Sequence, residues 1–188
     1  MKRTLLAFAV LLSACATPSP PNAEHLAAQA PLCTPDVSLG KVVIVPLTRW
    51  RTDQKEPELR GSIAEKAIKA IAPSMSCASM AEVLPVAPDS QSAERLAEAR
   101  QAGGKTAVLI RIDELGPIAI LSFPALWSTW SDVKFTLDAV DVASGKTLRS
   151  IPHHRQTGGA FEARGLEPLQ AEMEQALRDV ILGASPTG

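Results

Sequence analysis

The 188-residue chain contains no tyrosine, and its aromatic residues are three tryptophans and four phenylalanines. A core must therefore be built from Val, Ile, Leu and Ala, within a hydrophobic content of 46%. Charge of one sign is also lacking: 19 Lys and Arg stand against 20 Asp and Glu, a formal net charge of −1. That balance excludes the basic face that nucleic acid requires. No apolar run approaches the ~20 residues of a membrane-spanning helix. No Gly-x-Ser-x-Gly nucleophile elbow is present, and no His, Cys and carboxylate set stands at zinc spacing. The chain reads as non-enzymatic, with no metal and no other cofactor.

What is present begins at the amino end. The basic pair Lys2-Arg3 precedes an apolar run from Leu5 to Leu12, the pattern of a secretory signal. The run closes on Leu12-Ser13-Ala14-Cys15. This stretch resembles the lipobox of bacterial lipoproteins. The resemblance implies export, cleavage before Cys15, diacylglycerol on the Cys15 thiol and an acyl chain such as palmitate on the new amino group. Each buried methylene contributes roughly 0.8 kcal/mol, and two or three chains give stable anchoring. No Asp follows Cys15; Ala16 and Thr17 do. By the enterobacterial sorting rule, that looks like the outer membrane, with the chain facing the periplasm.

On this reading residues 1–14 are a signal peptide, residues 15–38 a lipidated tether and residues 39–184 a single α/β domain. Pro18, Pro20 and Pro21 keep the start of the tether extended. With Cys15 assigned to lipid, Cys33 and Cys77 remain. In an oxidising compartment an even pair reads as a disulfide. It would close a loop of about 44 residues, worth ~4 kcal/mol in the chain-entropy account.

Within the domain, Val42-Val43-Ile44-Val45-Pro46-Leu47 is a short β-branched run, expected as a strand buried on both faces. A helix is expected within residues 57–72, started by Pro57 or by a capping box of Ser62 and Glu65. Val83-Leu84-Pro85-Val86 reads as a short second strand, at an edge or irregular because Pro85 lacks a donor. A helix over 92–102 ends at Gly103-Gly104. A strand over 106–114 follows, and then thirteen residues, 115–127, without a charge. Val133, Phe135, Leu137 and Ala139 alternate with polar residues, the period of a strand with one wet face. Ala143-Ser144-Gly145-Lys146 is a tight turn, residues 147–151 return as a partner strand, and residues 152–165 read as a polar loop. A last helix begins at Glu167-Pro168, with Leu169, Met173, Ala176, Leu177, Val180 and Ile181 in one stripe. The expected fold is α/β, a mixed sheet with helices packed on it, in the order β-α-β-α-β-β-β-α. The strand from Thr106 should be central.

Several motifs invite chemistry and decline it. Gly104-Lys105-Thr106 has Lys and Thr in phosphate-loop order, but a helix precedes it and a strand follows, the reverse of that motif. His153 and His154 are neighbours and would point to opposite faces of a strand; they are expected on the surface. Asp113, Glu114, Asp132, Asp138 and Asp141 are expected at wet faces or strand ends. The strongest functional feature is the apolar stretch: Ile118, Ile120, Leu121, Phe123, Leu126 and Trp127, with Trp130 beyond. As a core strand and buried loop it needs no function. As an exposed patch it would dock a partner or dip into a bilayer interface.

The strand Val42 to Leu47 and the hairpin Asp141-Val142-Ala143-Ser144-Gly145-Lys146-Thr147-Leu148 carry a resemblance. With the lipobox and the element order, they resemble the α/β domain shared by the amino-terminal region of TolB, the curli-secretion lipoprotein CsgG and the penicillin-binding-protein activator lipoproteins. The resemblance implies a non-catalytic accessory subunit of an envelope assembly or transport machine, with an envelope protein as partner. The alternative from the residues is a periplasmic glycan- or lipid-binding module stacking on Trp50, Trp127 and Trp130.

Overall fold

The computed structural model describes residues 30–120, 128–160 and 165–183. A sheet runs in the order β2-β1-β4-β5-β6: β1 Gly40–Thr48, β2 Ala78–Val83, β4 Thr106–Ile120, β5 Ser128–Asp141 and β6 Thr147–Ala160. The two-residue β3, Ala87–Pro88, pairs with β1 beside β2. The helices are α1 Pro57–Ile71, α2 Ser92–Gln101 and α3 Leu169–Leu182. The sheet is mixed: β1, β2, β3 and β4 are parallel, and β5 and β6 join antiparallel. The fold class is the expected one, and β4 lies at the centre.

The β-branched run of β1 is buried on both faces because helices cover both. Val42 and Ile44 pack with Ala64, Ala67, Ile68 and Ile71 of α1 and with the α3 stripe. Val43, Val45 and Leu47 pack the other way, with Ala99 of α2. This division follows from topology. The chain steps from β1 to β2 and then back across β1 to β4, so a constant crossover hand puts α1 and α2 on opposite faces. Phe135, Leu137 and Ala139 bury the α3-side face of β5.

Helix ends follow local chemistry. Pro57 stands in the first turn of α1, so Ser62 is not its cap. Pro168 sits at the cap of α3, one residue before the helix. Gly103, at φ 72°, ends α2. A Cβ on Gly104 would meet Val43 Cγ2 at 2.8 Å and the Ala99 carbonyl at 2.9 Å, so the pair is a helix stop packed onto β1.

Three expectations are corrected. The second strand is Ala78–Val83; Leu84 N–H still donates to the Ile44 carbonyl of β1 at 2.9 Å, and the chain leaves the ladder at Pro85. β4 runs on through Leu115 to Ile120, paired with β5 from Ser128. Residues 152–160 are strand, continuing β6, because β5 offers them a full antiparallel partner. Together these make an arm. β1 stops opposite Ile112, while β4 continues for eight residues, about 26 Å of strand.

Candidate functional site

Along the arm one edge of β4 has no strand beside it among the described residues, and the loop after β1 supplies partners there. Arg49 N–H donates to the Ile112 carbonyl at 2.8 Å. Arg60, 6% exposed, donates from Nη1 to the Leu115 carbonyl and from Nε to the Lys55 carbonyl at 2.7 Å. Burial pushes the Arg60 pKa down, opposed by the carboxylates of Glu56 and Glu114. Arg51 approaches Glu114 at 3.4 Å and Asp53 at 3.2 Å. Burial raises the Glu114 pKa, against the pull of Arg51.

Register sets the two faces of the arm. Trp130, Asp132 and Lys134 stand opposite Gly158, Gln156 and His154. His154 Nε2 meets Asp132 Oδ1 at 2.8 Å, and Gln156 Nε2 lies 3.5 Å from Oδ2. Trp130 Nε1 is buried and has no hydrogen-bond partner among the described residues. On the α3 side His153 stacks on Phe135, with ring centroids 5.1 Å apart. Burial lowers the His153 pKa; Asp179 raises it, and Arg155 and His154 lower it further. Arg155 reaches Asp179 at 3.2 Å, and Thr157 Oγ1 donates to Glu172 Oε1 at 2.8 Å. The two histidines do point apart, but they are half-buried strand residues and not surface residues of a loop.

The carboxylates also need correction. Asp132 and Asp138, each 6% exposed, are not solvated: the first is held by His154 and the second by Arg111. Asp113 is the extra residue of a bulge between Ile112 and Glu114. Asp141 accepts from Ser144 N–H at 2.8 Å and from Ser144 Oγ at 2.6 Å, and these bonds lower its pKa. It fastens the expected turn, in which Gly145 has φ 70°. Among the described residues, no group of three His, Cys, Asp or Glu is placed to hold a metal ion.

A groove of about 570 Å³ opens beside the arm, lined by Trp50, Pro57, Gly61, Lys66, Val86 and Pro88 among others. It lies at the carboxyl ends of β1 and β3, where the connections leave for opposite faces of the sheet. Open α/β sheets bind ligands at such a switch point. Sequence reasoning singled out Trp50 alone of this set; the other wall forms only when the chain leaves the ladder at Pro85.

Of the expected patch, Ile118 and Ile120 are in β4, opposite Trp130 and Ser128. Leu121, Phe123, Leu126 and Trp127 lie outside the described residues, as does Cys15. Cys33 and Cys77 are joined, with Cα atoms 5.0 Å apart.

No protein-family model matches the sequence, and no curated protein does. Solved structures with a related chain path include a PelC dodecamer from Paraburkholderia phytofirmans, 16% identical, covering 79% of this chain and 90% of that one, TM-score 0.48. Lipoprotein GNA1162 from Neisseria meningitidis is 16% identical over 77% of this chain and 99% of that one, TM-score 0.43. The LpoB carboxy-terminal domain from Salmonella enterica is 13% identical over 65% and 87%, TM-score 0.32.

Proposed function

We propose that this chain is a lipid-anchored cell-envelope protein, facing the periplasm from the outer membrane. It acts as a non-catalytic accessory subunit of an envelope assembly or transport machine. Cys15 carries the lipid at the start of the tether, residues 15–38, and the end of the arm binds an envelope protein.

The observation that supports this most is the arm itself. Three strands, β4, β5 and β6, run on past the end of β1, and they carry and lead into the uncharged residues 115–127. Toward the body the arm is buried, with Leu115, Ser131 and Val133 at 1% exposure or less, so the support rests on the uncharged run at its end, the kind of apolar surface that contact with a partner covers. The titratable groups nearby have structural partners: Asp132 with His154, Asp138 with Arg111, Arg155 with Asp179.

The test replaces Ile118, Ile120, Leu121, Phe123, Leu126, Trp127 and Trp130 by polar residues, singly and in groups, in the full chain. Crosslinking in native membranes should lose one specific protein adduct while circular dichroism stays unchanged. An unchanged adduct pattern in well-folded variants counts against the proposal. The groove beside Trp50 favours a second reading, a glycan- or lipid-binding module. Tryptophan emission should then change on adding peptidoglycan fragments or lipid, and no change removes it.

A further inference from the structure

We infer that the groove beside Trp50 binds a neutral, linear oligosaccharide, with Trp50 as its stacking wall and Gly61 as its floor. This rests on the reading of the domain as a glycan- or lipid-binding module, and it narrows that reading to one ligand class.

Two elements that meet at Gly61 make the groove. One wall is a face of α1, from Pro57 through Ser62 to Lys69, about 18 Å of helix. The other is Val86, Ala87 and Pro88, and Thr48 and Trp50 join them from the end of β1. Trp50 also packs against the main core, so its ring is held in place. The second wall is fastened from outside the groove. Arg49 Nη2 meets Asp89 Oδ2 at 2.5 Å, and Arg95 Nη2 donates to the Pro85 carbonyl at 2.7 Å. A preformed cleft of about 570 Å³ falls within the range of small-molecule sites.

Gly61 separates a binding site from a packing gap. Glycine weakens a helix interior relative to alanine. Yet a Cβ on Gly61 would meet only Val86 Cγ1, at 3.7 Å, an ordinary contact. Packing does not demand glycine here, as it does at Gly104. What the bare position does is leave the floor open between α1 and Val86.

Charge and hydrogen bonding select the ligand. The lining sets Glu58 and Glu65 against Lys66 and Lys69, so its formal charge cancels. The hydrogen bond from Lys69, helped by the Val86 N–H, holds the Glu65 carboxyl below its ordinary range against the effect of burial. Ionised carboxylates only accept, and ammonium groups only donate. Glu58 and Lys66 have no ion pair among the described residues. Sugar hydroxyls do both, so one polyol satisfies neighbouring carboxylates and ammonium groups while its C–H face stacks on the indole. An acyl chain would cover those charges and bond none of them. An extended peptide needs a free strand edge. Here the Val86 N–H goes to Glu65 at 3.4 Å, Ala87 and Pro88 pair with β1, and Pro88 has no N–H.

The test titrates the full chain, in mixed micelles, by calorimetry. The neutral probes are chitotetraose and cellotetraose, the anionic probe tetragalacturonate and the cationic probe tetraglucosamine. The micelles carry a phospholipid brominated on its acyl chains, which quenches any tryptophan it touches. A neutral tetramer should bind more tightly than either charged one, and Trp50→Ala should abolish the heat of binding. Gly61→Ala, which keeps the fold, should raise the unfolding midpoint yet weaken neutral binding about threefold or more. Tighter binding of a charged tetramer overturns the neutral class and leaves the glycan reading standing. Quenching of Trp50 by the brominated lipid, measured against Trp50→Phe, overturns the inference and leaves a lipid-binding module. No binding and no quenching overturn both. Neutral binding at full strength in Gly61→Ala and Trp50→Ala overturns the assignment to this groove. A lowered midpoint in Gly61→Ala overturns the role given to Gly61.

Discussion

The guanidinium of Arg60 occupies the space that a side chain on residue 116 would need: a Cβ built on Gly116 would fall against Arg60 Nη1. The same nitrogen donates to the carbonyl of Leu115, one residue earlier. Beyond Ile112 no strand among the described residues accompanies β4 on this side, and one buried side chain takes over part of the ladder. Gly116 is therefore a condition for the arm's attachment to α1.

Gly116→Ala should push the guanidinium off the Leu115 carbonyl. The expected loss is about 2 kcal/mol or more, from overpacking and a broken charge-assisted hydrogen bond. Arg60→Ala should cost about 1–3 kcal/mol by leaving that carbonyl unpaired. The double variant should lose less than the sum, since the two changes destroy one arrangement. Urea unfolding of the three variants measures this, and strict additivity would refute the shared-space account.

The Cys33–Cys77 bridge closes a sequence separation of 44 residues. Cys33→Ser with Cys77→Ser should cost about 4 kcal/mol, mostly through freedom gained by the unfolded chain. Leu32, 1% exposed, should keep the segment seated at α3 in what remains folded. Thermal unfolding with and without reductant checks the size, and equal midpoints would show the bridge to be idle.

His153 sets a pH dependence whose sign follows from burial. Its pKa in the folded chain lies below the ordinary 6.5. Above that value neither state is protonated there, and stability is complete. As pH falls below it, the unfolded chain takes a proton that the folded chain refuses, so stability drops. One such group gives at most about 1.4 kcal/mol per pH unit. His153→Gln should flatten the slope of unfolding free energy between pH 5 and pH 7. A slope that survives the substitution would place the titration elsewhere.

How much of this was legible in the sequence depended on whether a pattern was local. The run Val42 to Leu47, the stripe from Leu169 to Ile181 and the turn at Asp141 are local signals, and each formed where expected. The arm was hidden for the opposite reason. Gly116 and Pro117 read as breakers, yet they are tolerated where β4 has lost one neighbour. Residues 152–160 read as a loop because their strand is held by β5, more than a dozen residues away. Asp132 and Asp138 looked solvated because their partners, His154 and Arg111, come from other strands. Glu65 illustrates the same point: it stands at capping spacing from Ser62, but bonds Lys69 at 2.6 Å and the Val86 N–H at 3.4 Å.

Trp130 offers a way to separate packing from binding. Its Nε1 is buried without a hydrogen-bond partner among the described residues, and an orphan donor costs about 1–3 kcal/mol. Trp130→Phe removes the donor and keeps most of the apolar ring. Stability should then be unchanged or raised by up to about 1 kcal/mol, after allowing for lost contact area. If the indole serves only packing, partner crosslinking should also survive. If the unused donor is kept for a partner's acceptor, crosslinking should fall while the unfolding midpoint holds or rises. A binding loss with undiminished stability cannot come from a damaged fold. A parallel drop in both would assign Trp130 to the core alone.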